Sequence, residues 1–237
     1  MLLDITRIKL DKIDKEKGLI LPEKMTLELA EEIGLHIGDG SMNFYQNKKR
    51  MLGSYSLRGH IQDDKHHYLS RIAPLYQRLY NLKPRIREMP STGVIGFQIW
   101  SNGLTNFKHQ LLKLPLGKKE NIKIPQFIYK HKEYIPSIIR GVYDTDGTLY
   151  LEKKYNKLYP RIQINTVSNL LAEQLKKSLN QLDIRTTKYT QIRKEKNWNN
   201  LHTISIRGEK MMDKFFNIIQ PFNPKHLIKL KKYLKQK

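Results

Sequence analysis

Polar and apolar positions alternate along this chain in two registers, and the registers recur in a fixed order. Leu75, Leu79 and Leu82 are spaced as one face of an amphipathic helix, and Leu175, Leu179 and Leu182 repeat that face 100 residues later. Other stretches alternate with period two. Arg161, Gln163 and Asn165 oppose Ile162 and Ile164, and Ser56, Arg58 and His60 oppose Leu57 and Ile61. Arg85 to Trp100 and Arg185 to Arg207 each read as two strands joined by a turn. Each is followed by a helical stretch, near Gly103 to Leu114 and Gly208 to Ile219. The order predicts an α+β protein of two pseudo-symmetric α-β-β-α-β-β-α halves with antiparallel sheets. Its expected divisions are an N-terminal extension at 1–24, a first half at 25–114, a connector at 115–131, a second half at 132–222 and a basic C-terminal helix at 223–237. The first half is expected to have the longer hairpin loop, Gln46 to Arg50.

Each half opens on a helical stretch ending in Asp-Gly, with Asp39-Gly40 and Asp146-Gly147 lying 107 residues apart. Gly40 and Gly147 are expected to act as left-handed helix stops. One turn apart upstream stand small residues, Gly34 with Gly38 and Gly141 with Thr145. This spacing puts each pair on one helix face and lets two backbones approach closely. Glycine inside a helix costs about 1 kcal/mol relative to alanine, so the stripe needs a packing reason, and crossing of the two copies supplies one. Asp39 and Asp146 then fall at the negative ends of their helices, where an anion is disfavoured by roughly 0.3–1 kcal/mol. Divalent cations between the carboxylates would reverse that balance, and hard oxygen ligands suit Mg²⁺.

Charge narrows the partner. Lys and Arg number 44 against 22 Asp and Glu, a net +22, which makes a polyanion, and nucleic acid first, the expected partner. The absence of cysteine excludes disulfides, thiolate metal sites and a Cys nucleophile. No apolar run approaches the roughly 20 residues of a membrane span, and Asp4, Arg7, Lys9 and Asp11 interrupt any signal-peptide core. The expectation is a soluble, cytoplasmic protein with no membrane association.

The paired segments, IRGVYDTDG at Ile139 to Gly147 and the looser EIGLHIGDG at Glu32 to Gly40, resemble the motif of the LAGLIDADG homing endonuclease family in its single-chain, two-motif form. The resemblance covers roughly residues 25–222. It implies motif helices packed across a pseudo-two-fold axis, a saddle of antiparallel sheets on double-stranded DNA, and a monomer. It implies metal-dependent hydrolysis of one phosphodiester per strand, a double-strand break, with Asp39 and Asp146 as metal ligands and catalytic residues. Asp144 has Ile37 as its counterpart in the first copy and is given no metal role. Family sites often carry a basic residue after the last strand of a half, and Lys210 stands there in the second half, opposite Leu104 or Thr105 in the first. The alternative is a non-cleaving binder of the same fold, a repressor or an intron-splicing maturase, whose partner would include intron RNA.

Reading groups for DNA are expected on the polar strand faces. These are Ser56, Arg58, His60, Arg85 and Arg87 in the first half, and Arg161, Gln163, Asn165, Arg185, Thr187, Tyr189, Gln191 and Arg193 in the second. Arg suits guanine, and Gln or Asn suits adenine, in the major groove. The tail is expected to dock through Leu227, Leu230 and Leu234, with Lys229, Lys231, Lys232, Lys235 and Lys237 around that face. His66 and His67 are expected at the surface, and Trp100 and Trp198 carry no site signal. Two rival motif readings fail. Asp144 to Thr148 looks like a phosphatase nucleophile motif, but lies past mid-chain with no later acidic motif. A calcium loop ending its glycine at Gly147 would need an acid where Val142 stands.

Overall fold

The computed structural model describes residues 1–47, 50–193 and 198–236. The N-terminal extension folds back on the first half. Asp11 and Asp14 form a capping box on α1 (Lys12–Glu16), and the buried Asp14 carboxylate accepts from Ser101 Oγ and from Gly103 N at 2.8 Å. Thr26 then caps α2 (Leu27–Asp39) by accepting from Leu29 N at 3.1 Å. The first half continues through β1 (Gly40–Asn47), β2 (Arg50–His60), α3 (Ile61–His67), a π-helical turn at Tyr68–Ile72 and α4 (Ala73–Tyr80). It closes with β3 (Arg87–Met89), β4 (Val94–Trp100) and α5 (Asn102–Asn106), which a second π-helical turn extends to Leu111.

The connector carries α6 (Gln126–Tyr129), and the order then repeats. It runs α7 (Ile135–Asp146), β5 (Gly147–Lys154), β6 (Lys157–Thr166), α8 (Asn169–Gln181), β7 (Thr187–Gln191), β8 (Leu201–Arg207) and α9 (Glu209–Ile219), with α10 (Pro224–Leu234) as the tail. The sheets have matching antiparallel topology, β1-β2-β4-β3 and β5-β6-β8-β7. Each turns Tyr55 and Leu57, or Ile162 and Ile164, into the core and its polar positions outward.

The helix crossing forms where the small residues stand. A Cβ on Gly34 would lie 2.9 Å from Gly141 Cα, and one on Gly141 would lie 2.6 Å from Leu35 N. A Cβ on Gly38 would lie 2.7 Å from Thr145 Cβ, so α2 and α7 touch backbone to backbone.

Four expectations need correction. Gly40 (φ −74°) and Gly147 (φ −89°) are not left-handed stops but the first, extended residues of β1 and β5. Their small size matters sterically, because a Cβ would lie 2.6 Å from His36 Cα or from Tyr143 Cε2 where each helix runs straight into its strand. The hairpin loops are equal: Asn47 pairs with Arg50 and Lys154 with Lys157, leaving two residues between in each. Residues 48–49 of the expected Gln46–Arg50 loop lie outside the described residues. The change of repeat spacing from 107 to 100 instead comes from α3, seven residues inserted between β2 and the helix matching α8. Third, α10 docks through His226, Leu230 and Tyr233, while Leu227 and Leu234 are exposed. Capping by Asn223 and stacking of His226 on Tyr143 at 4.2 Å set its rotation, and they override the leucine stripe. Lys237 lies outside the described residues. Finally, His66 is exposed but His67 is buried under α10.

Candidate active site and nucleic-acid interface

The crossing of α2 and α7 brings their C-terminal ends together, so Asp39 and Asp146 share one floor between the two sheets. The Asp146 carboxylate lies 3.2 Å from where a Cβ on Gly38 would stand. The clash that forbids a side chain at position 38 is with Thr145, so this glycine is what lets the two helix ends close and brings the second carboxylate near. Neither carboxylate accepts a hydrogen bond from the described residues. Burial, then the charge of Asp146, then that of Asp64 push Asp39 up to about 7, against opposing Lys119 and Lys225. Burial likewise pushes Asp146 up to about 6, opposed by the same two lysines. Two partly exposed carboxylates with free oxygens and suppressed ionisation fit a divalent cation. Among the described residues no third acid, histidine or cysteine joins them into a closed protein site. A hard divalent cation that keeps several waters needs no more than one or two protein carboxylates.

Lys119 and Lys225 also stand at this floor, and sequence reasoning missed them. Lys119 Nζ, from the connector, donates to the carbonyl of Gly38 and to that of Ile37 at 3.1 Å, capping the negative end of α2. Burial lowers its proton affinity, while Asp146 and Asp39 raise it. Lys225 Nζ, from the start of α10, does the same for α7, donating to the Thr145 carbonyl at 3.2 Å and to Asp64 at 3.0 Å. A signal did exist in the sequence: Lys119 and Lys225 are 106 residues apart, nearly the 107 that separates the aspartates. Lys210 is exposed in the first turn of α9 and is not among the charges bearing on either aspartate. The corresponding place in the first half, Gly103 to Thr105, is buried against the N-terminal extension.

Asp144 turns away from the floor. Its carboxylate accepts from Phe222 N at 3.0 Å and Asn223 N at 3.1 Å, and burial pushes it up to about 7 against those two bonds.

Most of the expected reading groups fall on shared outer sheet faces. In the second sheet, pairing aligns Thr187, Ser205, Gln163 and Thr148 in one row, Tyr189, Thr203 and Asn165 in the next, and Arg207, Arg161 and Tyr150 in a third. Gln191 lies on the same face of β7. Arg185 and Arg193 stand just outside β7, and Arg193 stacks 5.1 Å over Trp198. Arg161 is not free, because its guanidinium pairs with Glu152 at 2.6 Å. In the first sheet, Ser56 lines up with Ser41 and Gln98, and Arg58 with Gly96 and Arg87. A groove there is lined by Arg58, Arg85, Arg87, Gln98 and Trp100, so Trp100 belongs to this face after all. His60, at the end of β2, is 3.3 Å from Asp63.

Two pseudo-symmetric antiparallel sheets hung from crossed helices, with one acid at the end of each helix, define a class of architecture. Residues 133–220 match the LAGLIDADG-like domain. The chain has the LAGLIDADG homing endonuclease fold in its single-chain, two-motif form. Among solved structures, I-DmoI in complex with its target DNA nicked in the coding strand, in the presence of manganese, superposes with a TM-score of 0.61 at 19% identity, over 83% of this chain and 97% of that one. I-AabMI bound to uncleaved DNA gives 0.57 at 11% identity, over 89% and 90%. A curated relative, glutamine–fructose-6-phosphate aminotransferase [isomerizing] of Methanocaldococcus jannaschii, is 28% identical over 207 residues. That alignment takes in 86% of this chain but only 17% of the relative.

Proposed function

We propose that this protein is a site-specific DNA endonuclease that makes a double-strand break with a divalent cation, Mg²⁺ in the first instance. The observation that carries the reading is the convergence of Asp39 and Asp146 on one floor, each beside a lysine that caps a motif helix. The two acids are the proposed metal-binding and catalytic residues. A cation held there would supply charge neutralisation at the scissile phosphate and a more acidic water.

The chain's own residues do the rest. The outer sheet faces, with Arg58, Arg87, Gln163, Asn165 and Arg207 among their polar groups, bind and orient the duplex. Lys119 and Lys225 hold positive charge at the two helix ends, where it can offset charge developing on the phosphate, a part we assign to them in preference to Lys210. Gly34, Gly38 and Gly141 keep the acids close enough to serve opposite strands. Two motif copies in one chain complete the helix pair, so the active species is a monomer. The aminotransferase named for the M. jannaschii relative is not carried over, because this chain aligns with about a sixth of it.

A non-cleaving binder would need neither acid, and both are retained with their lysines. Incubation with a randomised-target DNA library and Mg²⁺ tests the reading. Recovery of a cut consensus is expected with the wild type and not with Asp39→Asn or Asp146→Asn. Sequence-selective binding without a cut, in Mg²⁺ or Mn²⁺, would move the protein to the repressor or maturase class.

A further inference from the structure

The halves differ most at α3, the seven-residue insertion of the first half, and that insertion reaches into the active site of the second. Asp64 is its functional feature. The side chain is buried, with 7% exposure, and its two oxygens are committed in three directions. One accepts from His60 N at 2.8 Å, which fixes the start of α3. The other accepts from Asn223 Nδ2 at 2.7 Å and from Lys225 Nζ at 3.0 Å. Asn223 in turn donates to the Asp144 carbonyl at 2.9 Å, and its backbone N–H donates to the Asp144 carboxylate. Asn223 also caps α10 and ties its first turn to α7. The helix packs against both α3 and β5. Among the described residues Lys119 has no such holder: it reaches the end of α2 from an irregular connector and donates only to main-chain carbonyls there.

We infer that Asp64 is a positioning residue that holds Lys225 at the end of α7, so that cutting of one DNA strand depends on the contact between α3 and α10 and cutting of the other does not. The inference rests on the nuclease reading above. The physical basis is that ordering a lysine side chain costs rotamer freedom, and a buried carboxylate at 3.0 Å offsets that cost for one lysine only. Asp64 makes no hydrogen bond to either proposed metal ligand; its charge opposes ionisation of Asp39, and its contact with the cutting machinery is the one with Lys225.

The experiment follows both strands of a cognate duplex, each end-labelled, in single-turnover cleavage by full-length protein. Asp64→Ala is expected to slow one strand by at least about tenfold and to leave the other within about twofold, so that singly nicked DNA accumulates. Lys225→Met should slow the same strand by the same factor. The double variant should be no slower than either single one, as for two groups acting as a unit. Lys119→Met should slow the opposite strand. Asp64→Asn loses the charge and keeps a single acceptor oxygen, enough for His60 N or for the Asn223 and Lys225 side, and should retain the fold with an intermediate effect on that one strand. Equal slowing of both strands by Asp64→Ala and Asp64→Asn, or multiplicative effects in the double variant, would overturn the inference while leaving the nuclease reading intact. Wild-type protein that cuts neither strand would overturn both.

Discussion

Asp39→Asn is expected to abolish cleavage and, in metal-free protein at neutral or higher pH, to stabilise the fold. The substitution keeps size and shape and removes a charge that burial, Asp146 and Asp64 all disfavour. A rise from the ordinary 3.8 to about 7 corresponds to about 4 kcal/mol, at about 1.4 kcal/mol per tenfold change in proton affinity. Because the side chain is partly exposed, solvent screening discounts this to about 2–4 kcal/mol. The folded protein holds the Asp39 proton more tightly than the unfolded chain. Its stabilising contribution is therefore complete below about pH 3.8 and is lost as pH climbs through about 7. Metal-free wild type should weaken across that window, and the difference between wild type and Asp39→Asn should open across it. Urea unfolding in EDTA at a series of pH values measures this difference directly. Adding Mg²⁺ should recover stability in the wild type and much less in the variant. Parallel stability–pH profiles for the two proteins in EDTA, or a variant less stable than wild type at about pH 8, would refute the reasoning.

Gly34→Ala should cost about 1–3 kcal/mol despite the ~1 kcal/mol gain in helix propensity, because the new Cβ meets backbone that cannot turn aside; denaturant unfolding measures the loss, and cleavage should fall with it. Lys108→Met should cost about 3–5 kcal/mol by urea unfolding, since it strands the fully buried Glu32 that Lys108 pairs with and that Tyr76 and Tyr80 also contact. Gln163→Ala and Arg58→Ala should relax base preference at particular positions by roughly 1–3 kcal/mol in selection profiles, whereas Lys231→Ala and Lys232→Ala should leave the profile alone. If either tail lysine neutralises a phosphate, its replacement should flatten the slope of log affinity against log salt by about 0.9.

The sequence made the fold legible because the same periodicities occur twice, and each copy checks the other. Leu175, Leu179 and Leu182 predict a helix, and it forms as α8; the small residues of the motifs predict a crossing, and Gly34 meets Gly141 there. The errors share a cause as well. A change of repeat spacing says that residues were inserted but not where, and the hairpin tip is the conventional place for them. The actual insertion, α3, continues helical polarity into α4 through a π-helical turn, so no break in pattern marks it. His67 reads as a surface residue because its burial comes from α10, more than 150 residues away. Lys119 and Lys225 are hidden for a related reason. A lysine beside Gly117 and another after Pro224 look like ordinary solvated charges, and their role depends on carbonyls at helix ends that only the tertiary fold brings within reach.

The charge distribution joins these observations into a statement about binding order. The protein is strongly basic overall, yet its two proposed ligands are acids held in a place that suppresses their ionisation. A DNA duplex lowered onto that floor adds phosphate charge, which opposes ionisation of Asp39 and Asp146 further. A divalent cation relieves both repulsions at once. DNA and cation should therefore bind with positive coupling, and by linkage each must strengthen the other by the same factor. Ca²⁺ serves as the test ion where it supports binding without cutting, and DNA affinity is measured with Ca²⁺ and with EDTA. Wild type should bind cognate DNA at least about fivefold more tightly with Ca²⁺, the lower end of ordinary coupling energies. Asp39→Asn/Asp146→Asn should bind equally well in both and, in EDTA, more tightly than wild type, having shed two charges that face phosphate. Should the double variant keep the Ca²⁺ effect, the cation is acting elsewhere on the complex, and the floor between α2 and α7 is not where the protein and the DNA share it.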